Sequence, residues 1–167
     1  TWYNDDILIS TTGSTDSDYV QYIRDMIGDD MFRYRELLEQ TNYTWLFECC
    51  HPSDPHIVPE EAGMYLLGAR RKEYGSDIDT AQWSDWMEAS ARILRCKVPE
   101  SYRVTVGELI EMSKKVQHEG FVFYTDDGIS SKIKSPYYLV NKFVARCGNT
   151  DKLMRKDVKK NIDEEYY

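Results

Sequence analysis

Two lysines separated by one residue, Lys132 and Lys134, are the side chains whose type and spacing point most directly to chemistry. They lie in the segment HEGFVFYTDDGISSKIKSPYY, residues 118–138, which predicts two strands joined by a tight turn. Residues two apart on a strand project from the same face, so the pattern places two ammonium groups side by side. Such a pair is typical either of a solvated edge strand whose lysines discourage association or of an anion-binding site.

Other charged residues favour the anion-binding site. Glu119, followed by Gly120, opens the first strand of the same hairpin, and a glycine in a strand permits close approach of a ligand or backbone. Glu48 interrupts an otherwise apolar strand, where a carboxylate is costly unless it has a partner or a role. Arg70 ends a third predicted strand. Structural alternatives stay open, since Glu48 could pair with a cation for stability, Glu119 could be a junction residue, and Arg70 could be a solvated strand end.

The elements that must position these residues follow from periodicity and turn signals. Alternating or apolar runs predict strands, and apolar residues three and four apart predict helices. The predicted strands are 5–10, 43–50 and 64–71 together with the hairpin, and the predicted helices begin near residues 18, 31, 80, 107 and 136. Because strands and helices are interspersed irregularly around a hairpin, the fold class expected is α+β with mostly antiparallel sheets and flanking helices.

Composition excludes some classes of function. The 167 residues carry 21 Lys and Arg against 29 Asp and Glu, a net charge of −8, so the chain lacks the overall basic surface of a sequence-independent nucleic-acid binder. No apolar run reaches membrane-spanning length, so we expect no membrane partner and a cytoplasmic protein with reduced cysteines. The cluster Cys49-Cys50-His51 raises the possibility of zinc, but adjacent strand residues face opposite ways, which disfavours it.

Four short segments occur in an order that resembles a known superfamily. They are LFE (Leu46–Glu48), MYLLGAR (Met64–Arg70), EGFV (Glu119–Val122) and KIKS (Lys132–Ser135). This order resembles the later motifs of the lysine-adenylating nucleotidyltransferases, which comprise DNA ligases, RNA ligases and mRNA capping enzymes. The continuation KIKSPYYLVNK is most similar to ATP-dependent RNA ligases of the T-even phage type. The resemblance extends from about Asp5 to Asn141.

The resemblance implies a fold, a reaction and residue roles. It implies an N-terminally incomplete ligase adenylation domain that joins RNA 5′-phosphate and 3′-hydroxyl ends with ATP, through lysyl-AMP and RNA-adenylate, as in RNA repair. Lys132 and Lys134 would contact the α-phosphate of ATP as catalytic and nucleotide-binding residues. Glu119 would act in catalysis by orienting a hydrated Mg²⁺. Glu48 would bind the ribose of the nucleotide (AMP or ATP), and Arg70 would contact ribose or phosphate.

The sequence departs from this family at the nucleophile. Relatives carry the attacking lysine in a K-x-D/N-G motif, whereas this chain has no such motif and no lysine before Lys72. We therefore expect residues 1–148 to be a partial adenylyltransferase domain that cannot adenylate itself, and residues 149–167 to form a charged helix or the start of a C-terminal domain. The alternatives are a noncatalytic module that binds a nucleotide or an RNA end, and a DNA ligase or capping-type enzyme. No oligomeric state is predicted.

Overall fold

The computed structural model describes residues 1–54, 56–73, 75, 78–80, 85–126 and 129–147. The chain divides into two compact units. The first unit comprises Thr1–Asp54 and Glu61–Tyr102, and the second comprises Pro55–Glu60 and Arg103–Tyr167. The described residues form a mixed α+β structure with small antiparallel sheets, as the pattern predicted. The predicted boundary between residues 148 and 149 lies outside the described residues.

The first unit contains five strands and three α-helices within its described residues. In chain order they are β1 (Trp2–Tyr3), β2 (Asp6–Ile7), α1 (Asp18–Ile27), α2 (Met31–Glu39), β3 (Tyr43–Cys50), β4 (Gly63–Arg71), β5 (Ile78–Thr80) and α3 (Asp85–Leu94). Strands β3, β4 and β5 form an antiparallel sheet in that order. The predicted bounds of β3 are confirmed, and β4 begins one residue earlier than predicted.

Buried apolar residues from the three helices meet one face of this sheet. The core is formed by Ile27, Tyr34, Leu38, Trp45, Met64, Leu66, Ala69, Met87, Ala91 and Leu94. The members on α2 and α3 recur at three- and four-residue steps. On β3, Trp45 of the core alternates with the partly buried Tyr43, Phe47 and Cys49 that pack against it, two residues apart along the strand, so each element presents one apolar side to the core. This packing holds the opposite face of the sheet, which carries Glu48, in a defined orientation.

The N-terminal strand prediction was wrong in extent. A strand was expected over residues 5–10, but β1 and β2 form a short hairpin in which Trp2 pairs with Ile7 and Tyr3 pairs with Asp6. The two residues between them, Asn4 and Asp5, have φ values of 48° and 60°. Both residue types tolerate the left-handed region that a two-residue hairpin turn requires, and this turn makes β2 begin at Asp6, one residue later than predicted. The strand ends at Ile7, three residues before the predicted end.

The second unit contains α4 (Val106–Ser113), β6 (Gly120–Tyr124), β7 (Ser130–Lys134) and α5 (Pro136–Cys147). A capping box begins α4, since the Thr105 hydroxyl accepts the Glu108 N–H while the Glu108 carboxylate accepts the Thr105 N–H. Strands β6 and β7 pair antiparallel, which confirms the predicted hairpin. Proline opens α5 at the position where a missing N–H is tolerated. Among the described helices, none has the length and apolarity needed to cross a bilayer.

Candidate functional site

The hairpin of the second unit places Lys132 and Lys134 on one face. Lys134 pairs with Gly120 and Lys132 pairs with Val122, whereas Ile133 pairs with Phe121 on the other face. Cross-strand partners in an antiparallel pair share a face, so both ammonium groups lie on the same side of β7. The spacing in the sequence had predicted this arrangement.

The structure brings Glu119 and Lys134 together as an ion pair. The Lys134 side chain is 29% exposed and that of Glu119 is 48% exposed, so the pair is only partly withdrawn from solvent. Burial, followed by the positive charge of Lys142, lowers the pKa of Lys134. Lys132 is exposed, and in the described part of the chain its ammonium group forms neither an ion pair nor a hydrogen bond.

Ser135 fixes the geometry of this ion pair, a role that the sequence pattern did not suggest. Its side chain is fully buried, and its hydroxyl donates to the His118 carbonyl and accepts the Tyr138 N–H at 3.0 Å. Its own N–H donates to the Glu119 carbonyl at 2.9 Å. These three bonds join the start of β6, the end of β7 and the first turn of α5, so the backbone that carries Glu119 and Lys134 is held at both ends.

The ion pair between Glu119 and Lys134 has two further neighbours, an aromatic ring and another lysine. The Nζ of Lys134 lies 4.9 Å from the ring centroid of Tyr138, and the Nζ of Lys142 lies 5.8 Å from the same centroid. Both distances are within the range of cation–π interactions. Tyr138 and Lys142 are four residues apart on α5, a spacing that could have indicated their contact once α5 was predicted.

In the first unit, Glu48 and Arg70 lie on the same face of the sheet. Glu48 pairs with Tyr65, and Arg70 pairs with Thr44. The register shifts between Leu46 and Phe47, and a bulge opposite them on β4 changes the alternation of that strand. Residues 65 and 70 therefore share a face, although regular alternation would place two residues five positions apart on opposite faces of the sheet.

The environment of Glu48 differs from the expectation drawn from its apolar neighbours. The residue is exposed, so its carboxylate does not carry the desolvation cost expected of an acid in a buried strand. Within the described ranges, this carboxylate has no hydrogen bond or ion pair, so a stabilising salt bridge does not account for it there. Arg70 is exposed as well.

Among the described residues, no group of three or more His, Cys, Asp and Glu side chains could hold a metal ion. Cys49 pairs with Met64 and packs against the core, where burial raises its thiol pKa to about 11, while Cys50 faces the other side of the sheet. Hydrated Mg²⁺ differs from such clustered sites, because this ion usually keeps several water ligands and is bound by one or two carboxylates together with substrate phosphates.

The chain matches no protein-family model and no curated protein.

Proposed function

We propose that this chain contributes the later nucleotide-binding motifs of an ATP-dependent RNA ligase with the nucleotidyltransferase fold. The observation that carries the proposal is the hairpin of the second unit, where Lys132 and Lys134 share one face and Glu119 contacts Lys134. A phosphate that approaches this face meets two ammonium groups beside one carboxylate. This combination suits displacement at phosphorus, in which the protein positions groups and offsets negative charge.

The two lysines act on the α-phosphate of ATP. When a nucleophile attacks the α-phosphorus, a new bond to phosphorus forms, the bond to the bridging oxygen breaks, and the electron pair leaves with pyrophosphate. Lys132 offsets the negative charge that develops on the phosphate. Its ammonium group is exposed and has no ion pair to break in the described part of the chain. Lys134 acts after its contact with Glu119 is exchanged for a contact with phosphate.

Glu119 and Glu48 have different roles in this proposal. Glu119 orients a hydrated Mg²⁺, which neutralises phosphate charge when bound. The first unit, taken by itself, carries the exposed carboxylate of Glu48, an acceptor suited to ribose hydroxyls, and Arg70 on the same face, a donor suited to ribose or phosphate. The substrates are ATP and RNA ends that bear a 5′-phosphate and a 3′-hydroxyl.

A calorimetric titration with ATP and Mg²⁺ tests nucleotide binding. Loss of a charge-assisted phosphate contact costs about 1.5–3 kcal/mol, so Lys132→Ala should weaken ATP binding about tenfold to a hundredfold. Lys115→Ala is the matched control, because Lys115 is an exposed lysine in the same unit. Unchanged affinity in Lys132→Ala, or no ATP binding by the unmodified chain, would contradict the proposal.

A sealing assay separates a ligase from a binding module. RNA that already carries a 5′-adenylate needs no nucleophilic lysine, so the chain should promote its joining to a 3′-hydroxyl in the presence of Mg²⁺. Lys132→Ala should remove this activity, and Lys115→Ala should retain it. Binding of ATP without any sealing would favour a noncatalytic module, and preference for adenylated DNA would favour a DNA ligase.

A further inference from the structure

The apolar residues of α5 are distributed around the whole helix, yet none of them is buried. Tyr137, Val140 and Val144 are among the exposed large hydrophobic residues, and the two valines are 54% and 53% exposed. A helix that is apolar on every side normally has each side covered by other protein. Single exposed apolar side chains need no partner, so a partner is indicated only where such residues form one continuous surface.

The exposed residues of α5 lie on one stripe with the spacing of a coiled-coil seam. Successive residues of an α-helix are about 100° apart, so positions 137, 140, 144 and 147 fall within an arc of about 80°. Their steps of three, four and three residues are those of the a and d positions of a heptad. This stripe, the α5 seam, consists of Tyr137, Val140, Val144 and the half-buried Cys147.

Charge is absent from the α5 seam and from the positions beside it. The flanking e and g positions hold Asn141 and Phe143. The two charged residues of the helix, Lys142 and Arg146, occupy positions f and c, away from the seam. A seam without cations offers no contact to the phosphates of RNA, and about three helical turns are too short to span a bilayer. Two copies of the same uncharged stripe can meet without like-charge repulsion or a buried unpaired charge.

We propose that the α5 seam is a self-association surface, on which α5 of a second copy of this chain packs to form a two-fold symmetric dimer. A β-branched residue at position a, such as Val144, is typical of two-stranded coiled coils. The seam is shorter than a standard interface, so the dimer is weak, with a dissociation constant of about 10–100 µM. The inference goes beyond the proposed function, since Tyr138 and Lys142 lie on another side of α5 and stay outside the contact.

Sedimentation equilibrium of the full chain at about 5–500 µM measures this association. Val140→Glu should weaken the dimer at least about tenfold, because it places a carboxylate on each copy within the apolar contact. Ala145→Glu is the matched control, since it adds the same charge at an exposed position of the same helix outside the seam, and it should change the dissociation constant by less than about twofold. Circular dichroism melting establishes that each variant is folded.

Salt provides a second readout. Each copy carries a net charge of −8, so the copies repel one another, and a rise in salt from about 0.05 to 0.5 M should strengthen a dimer held by an uncharged seam. A dimer weakened by salt would have an ionic interface and would overturn the inference.

The sedimentation results separate the other occupants of this face. A monomer at every concentration would overturn the inference and leave the face to another segment of the chain or to a different protein. A dimer that is insensitive to Val140→Glu, or that Ala145→Glu weakens equally, would place the interface elsewhere and overturn it as well. Failure of the chain to bind ATP would refute the proposed function alone, because dimer formation through the seam requires no nucleotide.

Discussion

Gly120 is the residue whose replacement tests the hairpin geometry most directly. It has a φ of +138°, a value that residues with a side chain rarely adopt. A Cβ atom at this position would overlap the Ile133 carbonyl oxygen and lie 2.8 Å from the Lys134 Cα. Both obstacles are backbone atoms of β7, so rotation of a side chain cannot relieve the contact. We therefore predict that Gly120→Ala forces β6 and β7 apart at position 120, next to Glu119.

The loss of stability expected for Gly120→Ala is the sum of two separate costs. A residue with a side chain held in a sparsely populated φ region costs about 1–3 kcal/mol, and overpacking costs a similar amount. Their combination gives a loss of about 3 kcal/mol or more, a large fraction of the stability of an ordinary domain. The contact between Glu119 and Lys134 should be lost with the pairing of Gly120 and Lys134, because the same backbone positions both side chains.

Amide hydrogen exchange measures this effect locally. Protection of peptides that span residues 119–135 should fall by about a hundredfold, as a loss of about 3 kcal/mol implies. All four tryptophans fall in the residue ranges of the first unit, so tryptophan fluorescence during urea denaturation reports that unit separately and should change little.

Gly107→Ala provides a control of opposite sign. Gly107 lies in α4 with no atom within 4 Å of the position of a Cβ, so alanine there should stabilise the helix by up to about 1 kcal/mol. If Gly120→Ala retained full protection of the hairpin peptides, the positive φ and the close approach to β7 would both be refuted as features of the protein in solution.

Three further predictions concern the folded framework. Thr105→Ala should destabilise α4 by about 1 kcal/mol in circular dichroism melts at pH 7. Hydrogen bonds from the backbone N–H and then the hydroxyl of Thr105 lower the pKa of Glu108, so the stabilisation is present above the ordinary glutamate pKa and is lost as the pH falls through the lowered value. The variant should show a weaker pH dependence, because alanine retains the backbone N–H and loses only the hydroxyl. Leu66→Ala should lower the free energy of unfolding, followed by tryptophan fluorescence, by about 2–5 kcal/mol because Leu66 is fully buried. Leu67→Ala should lower it by less than about 1 kcal/mol, since Leu67 is 37% exposed. Similar losses in the two variants would contradict the assigned bulge. Burial raises the pKa of the Cys96 thiol to about 11. Peptide mapping after iodoacetamide treatment should therefore find Cys96 largely unmodified at pH 8 and increasingly modified towards pH 11. Rapid labelling at pH 8 would argue against its burial.

Local periodicity was sufficient for several elements and for part of the site. Strand β3 and the N-terminal residue of α5 could be predicted because alternation and a first-turn proline are properties of a single segment. The shared face of Lys132 and Lys134 follows from the two-residue repeat of a strand in the same way. At the N-terminus the prediction of a strand over residues 5–10 was wrong, because Asn4 and Asp5 form a left-handed turn and β2 spans only Asp6–Ile7.

Tertiary structure decided which of these residues meet. Arg70 shares a face with Glu48 only because the register between β3 and β4 shifts, a feature that neither strand reveals alone. The contact of Glu119 with Lys134 and the approach of Lys142 to the same tyrosine ring depend on the positions of β6, β7 and α5 relative to one another. The sequence by itself determined the conformations and faces that backbone geometry imposes on short segments. The distances between charges on different segments depend on register and packing, and these exist only in the folded chain.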